Sequence, residues 1–269
     1  MTMHPAARLA RHWPFANGSG RFIDRWARRI NLGHGPREVR TSDGFSMSVL
    51  ADDHIGRHLI LSGMFDRSVV QALLDHALPG DCLLDVGANI GYVSGCILAQ
   101  VPDATAICIE PQPEVFELLE RNLAQFGERA LARQIALSDA AGELRFRIDQ
   151  ANRGASRIDP AGEIHVPTAN AGDFLRGLER LELIKIDVEG HELPILQSMA
   201  DELARLRPRA ILFEHHGTEA APDGKIGRIL SAVGYTVFGV RKRLLRTQLV
   251  PITCAADCRT NDYLALLKA

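Results

Sequence analysis

Apolar positions along this chain fall into short blocks whose spacing switches between a period of two and one near 3.6, and the switches mark out its elements. Residues 1–40 carry only a weak helical pattern, around 22–30. Between 39 and 61, alternating stretches flank turn signals at Ser42-Asp43-Gly44 and Asp52-Asp53, which reads as a small strand-rich preamble. A helix is expected next, with Asp66 as its cap and Val69, Val70, Leu73, Leu74 and Ala77 as its apolar face. Pro79-Gly80-Asp81 ends it.

Strands and helices then alternate. Strands are expected at 83–86, 104–110, 131–137, 183–188 and 210–213. Helices are expected at 91–100, at 113–126 with Gly127 as its stop, from near Pro194, and at 226–233 closed by Gly234. An extra strand at 144–148 interrupts the alternation. Strands separated by helices of this length form βαβ units, hence a parallel sheet covered on both faces. The last two strands, 235–240 and 263–267, are joined across 241–260 without a clear helix, so antiparallel pairing at one edge is expected. The fold expected is α/β, with a mostly parallel seven-stranded sheet.

Composition narrows the function classes. At 46% hydrophobic and 24% charged the chain is an ordinary globular protein, and a net charge of -2 provides no general attraction for nucleic acid. Aromatics at 6% leave no stacking stripe for bases either. The charge is uneven, however. Residues 1–40 hold eight Arg against Asp24 and Glu38, a local +6 that leaves the remainder at -8. This is a solvated arm beside an acidic body, or a patch that meets an anionic substrate carrier or a membrane surface. The opening MTMHPAARLARHWPF lacks the apolar core of a signal peptide, and no apolar run reaches the ~18–20 residues of a membrane span. Five scattered Cys suggest a reducing, cytoplasmic setting rather than staples, with Cys82, Cys96 and Cys108 in expected core elements as small hydrophobes. Cys254 and Cys258 have ligand-like spacing but no second pair. Monomer and homodimer both stay open.

The sharpest feature is Asp85-Val86-Gly87-Ala88-Asn89-Ile90-Gly91, which ends the first core strand and opens a helix. Gly87, Asn89 and Gly91 tolerate positive φ, so the turn can bring backbone close to a ligand. Its N–H groups are expected to face an anion. Glu110, 23 residues beyond Gly87, sits where a strand-tip carboxylate accepts from ribose hydroxyls. The dinucleotide pattern G-x-G-x-x-G fails, because Asn89 stands at its second glycine, which counts against a nicotinamide-dependent oxidoreductase.

At these residues the sequence resembles a family. D-V-G-A-N-I-G-Y and I-E-P-Q-P-E-V-F-E-L-L-E-R-N look like the first two motifs of class I S-adenosylmethionine-dependent methyltransferases. With A-L-S-D-A-A-G-E-L and L-I-K-I-D-V-E-G-H-E the text is similar to the FkbM type, which act on hydroxyls of sugars and polyketide-like small molecules. The resemblance runs from about Gly56 onward. It implies a Rossmann-like class I methyltransferase fold over 56–269, preceded by a basic extension and preamble at 1–55, with S-adenosyl-L-methionine as cofactor. It also implies that Asp85, Gly87, Ala88, Asn89, Gly91 and Tyr92 hold the methionine end and Glu110 the ribose. Pro111 and Gln112 would lie beside the adenosine, Ala136, Leu137 and Ser138 near the adenine, with Ser138 or Asp139 on its amino group. Asp187 would border the cofactor as well.

Lys185, Asp187 and Glu189 alternate, so they share a face if their strand runs through Val188, and His191 and Glu192 follow. A lysine in an apolar strand needs a partner, Asp187 or Glu189. The fifth strand ends in Glu214-His215-His216 at the same edge. One reading is acid/base machinery, in which Asp187 or Glu189, helped by Lys185 and by His191 or His215, takes the proton of an acceptor hydroxyl. A second is a divalent cation held by Asp187, Glu189 and Glu214 with a histidine. A third is structural, with Lys185 neutralising Asp187 and His216 on the surface. Arg241-Lys242-Arg243 with Arg246 is a solvated basic face or a grip for a phosphate-bearing substrate. Together these features suggest an O-methyltransferase for a sugar, glycan or natural-product hydroxyl, with a non-catalytic cofactor-fold binding protein as the rival.

Overall fold

The computed structural model describes residues 5–15, 17–26, 30–149 and 152–268. Arg28 and Arg29 of the basic arm, and part of the expected helix at 22–30, lie outside them. The chain opens with α1 (Pro5–Arg11) and α2 (Ser19–Trp26), then a hairpin of β1 (Pro36–Arg40) and β2 (Ser46–Leu50). Helix α3 (His54–Ser62) is closed at both ends by local chemistry. The Asp53 carboxylate accepts from the Ile55 N–H, and Gly63, at φ 76°, returns its N–H to the Leu59 carbonyl. Asp66 before α4 (Arg67–Leu74) is not the side-chain cap expected of it. Its carboxylate pairs instead with Lys242 Nζ at 2.7 Å.

The central units follow as β3 (Cys82–Val86), α5 (Tyr92–Gln100), β4 (Thr105–Ile109), α6 (Pro113–Leu123) and β5 (Ala130–Arg133). The single strand expected at 131–137 is two. The chain leaves β5 at Arg133 and begins a second sheet with β6 (Ala136–Ser138), β7 (Gly142–Arg147), β8 (Arg157–Ile158) and β9 (Ile164–Asn170). That sheet has the order β6-β9-β7-β8. A continuous apolar run carries no mark of such a bend. The main sheet resumes after α7 (Ala171–Arg176) with β10 (Leu183–Ile186), α8 (Glu192–Ser198), α9 (Ala200–Leu206) and β11 (Ala210–Glu214). Helix α10 (Lys225–Ala232), β12 (Tyr235–Arg243), β13 (Arg246–Pro251) and β14 (Asp262–Leu267) complete it.

The main sheet runs β13-β12-β14-β11-β10-β3-β4-β5. Strands β5, β4, β3, β10 and β11 are parallel, with the crossover at β3 that defines Rossmann-like order. Antiparallel β14 lies inside the sheet, between β11 and β12, rather than at its edge. The seven strands expected of a class I methyltransferase fold are all present. An eighth, β13, extends the edge by a hairpin the sequence left as connection.

Alternation along the buried strands serves two cores. Leu83, Leu183 and Leu212 face α4, α5 and α6, while Leu84, Ile184 and Ile211 face α7 to α10. The preamble shares the first side. Phe45, Met47 and Val49 pack with Tyr92 and Cys96 of α5 and Val115 of α6. All five cysteines are unpaired, and Cys82, Cys96 and Cys108 are buried. Among the described residues no helix is long and apolar enough to cross a membrane.

Candidate active site

The C-terminal ends of β3, β4, β10 and β11 meet at one cleft of about 260 Å³, the place where open α/β sheets bind ligands. The loop after β3 has positive φ at Gly87 (76°), Asn89 (50°) and Gly91 (84°), as its residue types require. Gly87 is fixed by contact as well as by φ, since a Cβ there would lie 1.8 Å from the Asp187 carbonyl oxygen. Gly91 packs against α6, where a Cβ would meet Leu119 Cδ1 at 2.8 Å.

The loop N–H groups do not form the expected anion cradle. Those of Gly87 and Ala88 donate to the Ile109 carbonyl at 2.9 Å, that of Asn89 to Glu110 Oε2 at 3.0 Å, and that of Ile90 to the Asn89 side chain. The Gly91 N–H returns to Ala88. Each of these five N–H groups is paired, since an unpaired N–H buried here would be costly. Glu110 thus ties two segments together, its other oxygen accepting from the Gln112 N–H at 2.9 Å. Burial pushes its carboxyl up to about 7, against the pull of those two N–H groups. A carboxylate has about four acceptor directions, so two stay available to a ligand.

Lys185 is the hub beneath the loop. Its Nζ donates to the Gly87 carbonyl at 2.7 Å and lies 3.4 Å from both Asp85 Oδ1 and Asp187 Oδ2. Asp85 is fully buried and also accepts from Ser94 Oγ at 2.6 Å, so it holds the loop from behind and does not border the cleft. Burial disfavours the Lys185 charge, but Asp187 and Asp85 outweigh it and raise the pKa above the usual lysine range. A lysine that stays protonated is no base.

The strand expected at 183–188 ends at Ile186. Asp187 and Glu189 sit on a turn, with Glu189 at φ 54° and Gly190 at 105°. The turn still brings Asp187 and Glu189 together with Glu214 of β11. One oxygen from each lies within 4.8 Å of the others. Burial raises the Glu189 carboxyl, helped by Asp187. It pushes Glu214 up to about 8, helped by Asp187, Asp262 and Glu189.

The two histidines expected in this cluster face elsewhere. His191 Nε2 lies 2.9 Å from Ser138 Oγ, and His215 Nδ1 lies 3.4 Å from Glu192 Oε2. Neither borders the cleft, and Ser138 does not border it either. His216 is exposed, as its structural reading had it, 3.5 Å from Glu214. Tyr92 lines the cleft but gives its hydroxyl to Asp43 at 2.8 Å. Gln112 is buried behind Pro111, which together with Val86, Ile109, Ala136 and Leu137 lines an apolar slot.

Several lining residues carry no signal in the sequence. His54 and Ile55 come from α3, Phe65 and Asp66 from the turn before α4, and Phe146, Arg153 and Ile158 from the second sheet and its loop. Arg153 pairs with Glu114 at 3.1 Å, while its Nη1 is buried with no hydrogen-bond partner among the described residues. A buried cationic donor without a partner is costly, and an anionic group in the cleft would satisfy it.

Several known proteins are similar to this chain in sequence. Hexuronic acid methyltransferase AglP of Haloferax volcanii is 29% identical over 141 residues, 51% of this chain and 58% of that protein. The 31-O-demethyl-FK506 methyltransferase FkbM of Streptomyces tacrolimicus is 28% identical over 195 residues, 59% of this chain and 74% of that one. The 2-O-methyltransferase NoeI of Sinorhizobium fredii is 24% identical over 150 residues, 48% and 61%. The chain therefore spans less than two thirds of the Haloferax and Sinorhizobium proteins. A solved magnesium protoporphyrin IX methyltransferase from Synechocystis PCC 6803 superposes with a TM-score of 0.44 at 14% identity, over all of both chains. The methyltransferase FkbM domain profile matches residues 85–237, more than half of the 269 residues, including the loop at 85–91, Glu110, Asp187, Glu189 and Glu214. This chain belongs to the FkbM methyltransferase family.

Proposed function

We propose that this protein is an S-adenosylmethionine-dependent O-methyltransferase acting on a hydroxyl of a sugar, glycan or polyketide-like natural product. One observation carries the reading. The positive-φ loop, the Glu110 carboxylate and the Asp187–Glu189–Glu214 cluster open into the same cleft. The residues fit the cofactor. Glu110 has free acceptor directions for ribose hydroxyls, and Pro111, Ala136 and Leu137 flank an apolar slot for adenine. When bound, the cofactor supplies a methyl group on a sulfonium.

The protein's own contribution is position and proton removal. Lys185 clamps the Gly87 carbonyl and orients Asp187. Glu214, with its carboxyl near about 8, is suited to take a hydroxyl proton at mildly alkaline pH. Glu189 shares that environment and is the second candidate base. Residues 1–55 act as a cover for the 56–269 catalytic domain, since His54 and Ile55 reach the cleft wall. The relatives named for hexuronic acid, 2-O and 31-O methylation point to an oxygen acceptor. A reducing cytoplasm suits the five unpaired thiols.

Calorimetry with S-adenosylhomocysteine tests the cofactor half. Binding is expected in the micromolar range, abolished by Gly87→Val and weakened at least tenfold by Glu110→Ala. Wild-type affinity in both variants would overturn it. Labelled methyl transfer to a panel of uronic acids, deoxysugars and macrolide alcohols tests the acceptor half. A second reading, a divalent cation on Asp187, Glu189 and Glu214, is favoured by their mutual approach. It requires turnover to stop on chelation and return with Mg²⁺.

A further inference from the structure

A second group of ligand-type side chains lies outside the carboxylate cluster, where the N-terminal helices meet the body. His54 and His58 are four residues apart on α3, so they project from one helical face. Their rings lie 4.6 Å apart between centroids, and Phe65 meets both edge-on. Helix α2 brings Asp24 opposite them. Ile23, 1% exposed, packs with Ala7, Ala10 and Leu61, and this burial fixes the neighbouring Asp24 over the two imidazoles. Asp24 Oδ1 lies 2.9 Å from His58 Nε2 and 3.9 Å from His54 Nδ1. All three donor atoms fall within 4.8 Å of one another.

These distances suit a metal. Bonds of ~2.0–2.1 Å in a tetrahedral zinc site place ligand atoms roughly 3.3 Å apart. The two measured approaches bracket that spacing, so a shift of about half an ångström in each would close the site. The three side chains border a cavity next to the cleft, which leaves a coordination position open to water. Of the cations around that cavity, Lys242 is bound by Asp66 and Asp262 and Arg67 lies 3.9 Å from Asp43. Arg21 is the remaining one. His54 also lines the methyl-transfer cleft.

We propose that Asp24, His54 and His58 form a site for one divalent transition-metal ion of the zinc class, which pins α2 onto α3 at the acceptor end of the cleft. Two imidazoles and one carboxylate are the donor set that zinc and cobalt share, and one that Mg²⁺ binds poorly. The inference is independent of the methyltransferase reading.

The test uses the full chain stripped of metal and titrated with Co²⁺, followed by its visible ligand-field absorption. One equivalent is expected to bind with micromolar affinity or better and to be displaced by Zn²⁺. Asp24→Asn, at a half-exposed position that should leave the fold intact, and His54→Gln should each weaken Co²⁺ binding at least tenfold. Glu189→Gln and Glu214→Gln should leave it unchanged. A single cooperative urea-unfolding transition in the first two variants reports that the body is folded. Failure of wild type to bind Co²⁺, undiminished binding in Asp24→Asn and His54→Gln, or loss in the glutamate variants instead would each overturn the proposal.

Discussion

The two halves of the cleft are built in opposite ways. The proposed cofactor half is built mainly from one loop and the tips of β3 and β4, with Lys185 of β10 beneath it, and most of its polar groups are paired with one another. The Asp85, Gly87, Asn89, Glu110 and Lys185 contacts make up this pairing, while Asp85 Oδ1 meets Lys185 only as a 3.4 Å ion pair and buried Gln112 Nε2 has no hydrogen-bond partner among the described residues. The proposed acceptor half is gathered from α3, the second sheet, β10, β11 and β14, and burial with neighbouring carboxylates raises the Glu189 and Glu214 carboxyls there. A satisfied network specifies one geometry, whereas like charges in partial burial store reactivity. On the proposed reading the first half is a mount, and the second is where chemistry and specificity are adjusted.

That contrast can be broken most forcefully at Lys185. Its replacement by Met leaves Asp85 buried without a counter-charge, and the expected loss is about 3–5 kcal/mol of stability in urea unfolding. A loss under about 1 kcal/mol would mean the mount does not depend on this ion pair.

Glu214→Gln should spare stability and S-adenosylhomocysteine affinity while lowering kcat by roughly 100-fold. A base acts when ionised, so with Glu214 in the proposed role the wild-type rate should climb as pH rises through about 8 and level off above it. The variant should lose that climb. An unchanged profile would transfer the role to Glu189.

The smallest effects sharpen the boundary of the site. His191→Gln and His215→Gln should each change kcat by less than about twofold, because their rings engage Ser138 and Glu192 rather than the cleft. A tenfold loss in either would return an imidazole to the reaction.

The alternating pattern of strands and helices, the seven main strands and the Gly87–Asn89–Gly91 turn were all legible, because each rests on neighbours in sequence. Periodicity reports which residues are buried, and residue type reports which backbone angles are tolerated. The bend between Arg133 and Ala136 was not legible, since apolar runs look alike whether the chain continues or turns away. Asp66 reads as a cap and became the partner of Lys242, from a strand 176 residues onward.

The sequence by itself determined the mount: strand, glycine turn, helix, and a carboxylate on the next strand tip. Only the tertiary structure decided that the loop's N–H groups turn inward to Ile109 and Glu110, that His191 and His215 look away, and that His54 and Arg153 reach the wall. Local preferences act over a few residues, but a side chain's direction at a cleft depends on distant partners that compete for its hydrogen bonds and charge. Those partners meet only when the sheet has closed.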